Sequence, residues 1–371
     1  MRIPLSSPDI DERDIEAVVS VLRTPHLSLG PKLREFEEVF ASYIGVPYSV
    51  ALSSGTAGLH IGLQALGVGE GDEVILPSFT FIAAANAIRY LRATPVFADI
   101  DARTLNISPD AIERAITPKT RALIVVHTFG YPAEMDPILQ IARQHGLFVI
   151  EDACEAIGAE YCGRKIGSFG DVAVFSFYPN KPITTGEGGV VVTKHLELAR
   201  KMRALRNQGR MENGEWLEHS LLGYNYRLPD INCALGISQL SRIDEILARR
   251  EQLARSYIEA LACHPEILVP EIDCPNGRIC WFAFVVRVQK EIRGEVLRTL
   301  DAKGIGCRAY FPPIHLQPLY SEFCRQGQDL SNTVDAGSRT IALPFFNALT
   351  KEQVMEVSRV LIETVRIVSY R

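Results

Sequence analysis

Between about residues 48 and 193 the chain alternates short apolar runs with helical periods, and this rhythm constrains the fold more than any other feature. The runs are Tyr48-Ser49-Val50-Ala51-Leu52, Glu73-Val74-Ile75-Leu76, Thr94-Pro95-Val96-Phe97-Ala98, Ala122-Leu123-Ile124-Val125-Val126 and Leu147-Phe148-Val149-Ile150. Val172 to Phe177 and Val190-Val191-Val192-Thr193 continue the series. Helical periods such as Gly58 to Leu66 and Pro137 to Gln144 lie between them. Strands this apolar are buried on both faces, so the pattern predicts an α/β fold with a mostly parallel sheet covered by helices. Ligands in such sheets bind beyond the carboxyl ends of the strands, and the chemistry is expected there.

The character then changes. A long helical segment is predicted from roughly Pro229 to Ala262, then a strand over Cys280–Val286, a helix from about Ile292 to Lys303 and a strand over Cys307–Phe311. This α+β order predicts a smaller second domain, and 371 residues suffice for two. The expected division is a large domain over 1–244, including the amino-terminal segment, and a small one over 245–371. With no repeat and no low-complexity linker, the two are expected to share an extensive interface.

Net charge is −5, and Lys and Arg are scattered apart from pairs such as Arg249-Arg250. A nucleic-acid binder would concentrate basic charge, so none is expected as a partner. Met1-Arg2-Ile3-Pro4 lacks an apolar signal segment, and no run approaches the ~20 apolar residues that span a bilayer. No membrane association is expected, and the compartment predicted is the cytoplasm. The eight cysteines, at 154, 162, 233, 263, 274, 280, 307 and 324, show no C-x-x-C pair and no clustered histidines. They predict reduced thiols and no metal site.

The stretch Phe175-Ser176-Phe177-Tyr178-Pro179-Asn180-Lys181, followed by Thr184-Thr185-Gly186-Glu187-Gly188-Gly189, sets a lone lysine between an apolar strand and a Gly/Thr-rich turn. An amine at the edge of a hydrophobic sheet is desolvated, which favours its neutral, nucleophilic form. Phe148-Val149-Ile150-Glu151-Asp152 ends another buried strand on a carboxylate. A Schiff-base lysine and an acid to pair a pyridinium nitrogen are what pyridoxal phosphate (PLP) chemistry requires. Each has a plainer reading: Lys181 as a solvated residue, Asp152 as a cap for a helix over Ala153–Ile157. Ser53-Ser54-Gly55-Thr56-Ala57-Gly58 opens a helix and reads as a phosphate cradle or as an ordinary N-cap. Pro77-Ser78-Phe79-Thr80-Phe81 brings aromatics to a strand end, for stacking on a flat ring or for plain core.

Taken together, SSGTAGLH at 53–60, PSFTF at 77–81, EDACEAIGA at 151–159, GSFGDVAVFSFYPNKPITTGEGG at 167–189 and GYNYRLPDINCALG at 223–236 resemble the DegT/DnrJ/StrS family of sugar-nucleotide aminotransferases, its perosamine-synthase-like members in particular. The likeness runs from Pro8 to Pro344. It implies the PLP-dependent transferase fold of type I. It implies that Lys181 carries the cofactor as a Schiff base and then moves the proton. Asp152 would pair the ring nitrogen, Phe81 stack on the ring, and Gly55, Thr56 and Ser176 hold the phosphate. Asn225 would reach the phosphate of a neighbouring subunit, which implies a homodimer with shared active sites. Position 155 departs from the usual Gln or His beside the ring hydroxyl. Glu155 would repel an anionic oxygen unless it holds a proton or sits differently.

Tyr310 and His315, in Tyr310-Phe311-Pro312-Pro313-Ile314-His315-Leu316-Gln317, are similar to a segment lining the substrate side. Leu29, in Pro25-His26-Leu27-Ser28-Leu29-Gly30, and Arg210, before a polar loop reaching His219, complete the candidate substrate contacts. For His315 a structural hydrogen bond, and for Arg210 plain solvation, are the bland alternatives. The resemblance implies transfer of the amino group of L-glutamate, leaving 2-oxoglutarate, to a nucleotide-linked 4-keto-6-deoxy sugar, for O-antigen, capsule or glycoside synthesis. A 3-keto sugar, a PLP-dependent dehydration and a non-enzymatic regulator are the rivals. A lysine rather than histidine at 181 speaks against dehydration. GDP, UDP and dTDP all remain open as the nucleotide.

Overall fold

The computed structural model describes residues 2–211, 215, 217–324 and 328–369. The seven apolar runs pair into one sheet: β1 (Tyr48–Leu52), β2 (Glu73–Pro77), β3 (Thr94–Ala98), β4 (Thr120–Val126), β5 (Phe148–Asp152), β6 (Val172–Ser176) and β7 (Gly189–Thr193). Their order is β1-β7-β6-β5-β4-β2-β3, and β7 alone runs antiparallel to its neighbours. Alternate residues of one strand feed opposite cores. Val149 and Phe175 join an apolar cluster with Phe36 and Phe40, while Ile150 and Val174 join another with Leu59 and Leu76. That is the expected alternation of a strand covered on both faces.

Helices supply those covers. Phe36 and Phe40 come from α1 (Pro31–Ile44), which starts with proline at its first turn and stops on left-handed Gly45. Leu59 comes from α2 (Gly55–Ala65), which packs across β6 and β7. A third cluster draws on α3 (Ile243–Leu261), α4 (Lys290–Ala302) and α5 (Lys351–Ser369). The antiparallel pair β8 (Phe284–Arg287) and β9 (Thr340–Leu343) completes it, with Ile3 from the amino terminus.

Four expectations change. The segment 229–262 is two helices, Asp230–Ser241 and α3, broken where Arg242 leaves helical backbone. Its guanidinium gathers Asp9, Asp11 and Asp14, with Nη2 2.8 Å from Asp14 Oδ2. The strand predicted over 280–286 begins only at Phe284. Trp281 sits at φ 55, and the Cys280 and Phe282 N–H groups donate to Gly130 and Phe129 carbonyls instead of a neighbouring strand. Residues 307–311 form no strand; Arg308 makes one bridge to Ala342. Ala153–Ile157 is a pair of turns ending at left-handed Gly158, so no helix follows for Asp152 to cap. All eight cysteines are free thiols. Among the described residues no helix is long and apolar enough to cross a membrane, and no group of three or more His, Cys, Asp or Glu could hold a metal ion.

Candidate active site

Asp152 closes β5, in register with Val174, and Ser176 closes β6 two residues further on. Strand alternation sends both toward α2. The consecutive acids Glu151 and Asp152 therefore part ways. Asp152 enters a cleft with its carboxylate accepting the Cys154 N–H at 3.2 Å. Glu151 is fully buried on the other face. It accepts the N–H groups of Gly167, Phe169 and Gly170 and stands 3.3 Å from His127 Nε2. His127 Nδ1 accepts the Ala133 N–H at 3.0 Å, which leaves Nε2 to carry the proton toward Glu151. Burial opposes ionisation of Glu151, but the His127 hydrogen bond and the loop N–H groups outweigh it, holding the carboxyl below the usual glutamate range.

The start of α2 faces the same cleft. Ser54 Oγ caps the helix through the Ala57 N–H at 3.1 Å. The first N–H groups of a helix lack intrahelical partners, and Gly55 and Thr56 line the cleft. A Cβ on Gly55 would lie 2.7 Å from the Ser176 Cβ, so the helix start and the Ser176 hydroxyl share their space only with glycine there. Hydroxyl, helix N-terminus and glycine together form a cradle suited to a phosphate.

Ten residues frame the remainder of this cleft of about 580 Å³ most clearly: Phe81, Asp152, Glu155, Tyr178, Asn180, Lys181, Glu187, Phe282, Tyr310 and Phe311. Lys181 follows β6 on a turn fixed from within: its own N–H donates to the Tyr178 carbonyl, and the Thr184 hydroxyl and Thr185 N–H donate to that of Phe177. Its Nζ lies 3.7 Å from Glu155 Oε1 and 4.1 Å from the centre of the Phe282 ring. Phe81 is 62% exposed, leaving its ring free at the cleft edge. Glu155 Oε2 accepts the N–H of Phe129, a residue at φ 55, at 2.9 Å. Burial pushes the Glu155 carboxyl above its ordinary range, against the opposing pull of the Lys181 ammonium and the Phe129 N–H. That tilt toward a protonated Glu155 is one of the two ways in which an acid could stand beside an anionic oxygen. Cys154 also lines the cleft, but burial pushes its thiol well above the usual range, so it is no thiolate nucleophile.

The structure brings together Gly55, Thr56, Phe81, Asp152, Glu155, Ser176, Lys181 and Tyr310. Leu29, Arg210, Asn225 and His315 do not line the cleft of this chain. His315 is buried, with Nδ1 2.7 Å from the Ser78 hydroxyl and its backbone N–H on the same oxygen at 3.0 Å. Leu29 and Asn225 lie exposed on strapped loops: the Gly30 N–H reaches the Asp230 carboxylate at 2.8 Å, and Asn225 bridges Asn207. The Arg210 N–H donates to Asn207, while residues 212–214 and 216 of the polar loop beyond it lie outside the described residues. Sequence reasoning missed Phe282, Glu151 and the Phe129 N–H. Glu151 could have been found, since strand alternation cannot send two adjacent acids to one face. The other two carry no local signal.

The donor set fits PLP: a phosphate cradle, a carboxylate at a strand end, an aromatic ring and a lysine within one cleft. Residues 8–362 match the DegT/DnrJ/EryC1/StrS aminotransferase family. GDP-perosamine synthase of Caulobacter vibrioides is 41% identical over 361 residues, covering 96% of either protein. Among solved structures, DesV of S. venezuelae, captured with a ketimine intermediate, is 36% identical with a TM-score of 0.91 over 98% of each chain. Spr1654 of Streptococcus pneumoniae, in its PLP-form, is 28% identical with a TM-score of 0.94, covering 99% of this chain and 100% of that one.

Proposed function

The chain belongs to the DegT/DnrJ/EryC1/StrS aminotransferase family and uses pyridoxal phosphate, and from that premise we propose that it moves the amino group of L-glutamate onto a nucleotide-linked 4-keto-6-deoxy sugar. The observation that carries this reading is Lys181 Nζ in one cleft with the Asp152 carboxylate and the α2 cradle. When bound, the cofactor supplies an electron sink that makes a proton beside the nitrogen removable.

The chain's own residues do the rest. The Gly55 and Thr56 N–H groups and the Ser176 hydroxyl hold the phosphate. Asp152 keeps the ring nitrogen protonated, and Phe81 covers the ring. Lys181 Nζ would act as the general base that takes the proton from one carbon and returns it to the other. Glu155, whose carboxyl burial holds above its ordinary range, would face the ring hydroxyl. Tyr310 lies on the substrate side. We place Leu29, Arg210 and His315 around the sugar nucleotide, His315 acting through the loop that it anchors. The described cleft lining carries three carboxylates, Asp152, Glu155 and Glu187, and Lys181 as its cation. On the family resemblance, we place Asn225 of a second copy at the phosphate, in a homodimer with shared active sites. A GDP-linked ketone is the first substrate to test, on the likeness to GDP-perosamine synthase.

Absorbance tests the reading directly. The visible cofactor band should fade on L-glutamate and return on adding a GDP-linked 4-keto-6-deoxy sugar. A band indifferent to glutamate removes the donor assignment; one that fades but never returns with GDP-, UDP- or dTDP-linked ketones removes the acceptor.

A further inference from the structure

Two features beside the reactive lysine have no part in the reading above: an aromatic face against its amine, and a buried guanidinium behind that ring. We infer that Phe282 sets the position of the Lys181 amine for its bond with the cofactor, and that Arg250 is the positioning residue that holds Phe282 there. The inference rests on the assignment of Lys181 to the cofactor and on nothing about the sugar.

Phe282 is 4% exposed, and the centre of its ring lies 4.1 Å from Lys181 Nζ. It belongs to irregular backbone. The preceding residue, Trp281, occupies the left-handed region at φ 55, which an L side chain of that size rarely adopts. Such a conformation persists only where its surroundings over-determine it. Here they do. The Phe282 N–H donates to the Phe129 carbonyl at 3.1 Å. Arg250 Nε donates to the Trp281 carbonyl at 2.8 Å and Nη2 to that of Phe282 at 2.7 Å.

Arg250 is an unusual residue to find there. It is 3% exposed, and among the described residues no carboxylate lies within hydrogen-bond reach of it. Its third bond goes to Asn347 Oδ1 at 3.2 Å, whose amide nitrogen donates in turn to Asp9 at 3.0 Å. Burial lowers its pKa to about 10. A buried charge is costly unless fully hydrogen-bonded, and the planar fork of arginine is what spans two successive carbonyls.

The ring suits its neighbour. An aromatic face attracts a cationic amine yet offers no lone pair to its N–H groups. The ring thus holds the amine without accepting a hydrogen bond from it, while Glu155 Oε1 stands 3.7 Å away. In the bond-forming step, Nζ condenses with the cofactor's aldehyde carbon. A C=N bond replaces C=O, and the aldehyde oxygen departs as water with two of the ammonium's three hydrogens, the third staying on the nitrogen, which keeps its positive charge.

The test compares two ligands on the apoenzyme: PLP, which links to Lys181, and pyridoxamine phosphate, which cannot. Phe282→Leu should weaken PLP about fivefold to tenfold, the fold-change of one cation–ring contact, and leave pyridoxamine phosphate within about twofold. Phe282→Tyr, which keeps the face, should restore both affinities. Arg250→Lys keeps the charge but loses the fork, and should show the same split; the double variant should be no weaker than the worse single one. Equal weakening of both ligands, or unchanged PLP binding in Phe282→Leu, overturns the inference. Should Arg250→Lys fail to fold, the Phe282 pair decides the matter. Borohydride reduction of the wild type followed by peptide mapping must find the cofactor on Lys181; its absence overturns this inference, whereas failure to aminate a sugar touches only the substrate.

Discussion

The two walls of the cleft are built by different means. One wall, Asp152, Ser176, Gly55 and Thr56, stands on the ends of β5 and β6 and the first turn of α2, all regular elements of one sheet layer. The other, Phe282 with Tyr310 and Phe311, stands on irregular backbone. Arg250 pins the first part. Ser78 pins the second: its carbonyl accepts the Ile314 N–H at 2.9 Å, and its hydroxyl takes both the His315 N–H and ring nitrogen. Phe129 binds the two together, its ring stacked on Phe311 with centres 5.4 Å apart. The wall on regular elements holds Asp152 and the cradle and leads directly into the Lys181 turn, so the sheet fixes the geometry there. On the pinned loops Tyr310 and Phe311 can be reshaped around different substrates, whereas Phe282 faces Lys181 and bears on the reactive amine.

The contrast breaks if Lys181, on the turn that β6 leads into, or the acids that end β5 prove dispensable. Lys181→Ala should lower turnover about a thousandfold or more, the scale of a lost general base, while cofactor stays bound but unlinked. Retained turnover by stopped-flow would end the assignment of the base. Next in size is Glu151→Gln, which puts an amide where the carboxylate now accepts three N–H groups, and should cost about 3 kcal/mol in urea unfolding. Its pH dependence follows from sign. The folded carboxyl titrates below the unfolded one, so its contribution is present above the unfolded value, roughly 4.3, and is lost as pH falls through the folded value. Wild type should therefore lose more stability on acidification than the variant does.

Asp152→Asn should slow both half-reactions about tenfold to a hundredfold, the worth of one charge-assisted hydrogen bond, without altering the fold by circular dichroism. Gly55→Ala forces a Cβ against Ser176 and should weaken PLP about tenfold, as overpacking commonly does. The smallest effect sharpens the role of Glu155. Its folded carboxyl titrates above the unfolded one, so apoprotein stability from this group is present below the unfolded value and lost as pH rises through the folded value. Glu155→Gln should remove that loss, making the apoprotein more stable by about 1 kcal/mol near pH 8 and unchanged near pH 4. Thermal melts across that range decide it.

Much of the first wall was legible in the sequence, since a strand ending on Asp152, a helix opening on Ser54-Gly55-Thr56 and a lysine after an apolar strand each leave a local mark. The helix over Ala153–Ile157 was wrongly expected because its composition suits a helix. The structure instead turns there, with Asp152 accepting the Cys154 N–H and Gly158 at φ 84. The strand over 280–286 failed likewise: Cys280-Trp281-Phe282 has strand composition, but its hydrogen bonds go to the 129–130 turn and to Arg250.

By itself the sequence determined the α/β sheet, the order of its strands along the chain and the residues at their carboxyl ends. Apolar periodicity and cap chemistry act between residues a few positions apart, so they can be read in one dimension. Only the tertiary structure decided that Phe282 faces Lys181, that Phe129 supplies an N–H to Glu155 and that His315 turns to Ser78. Those contacts join segments far apart in the chain, through backbone that local preference disfavours, and packing alone selects them.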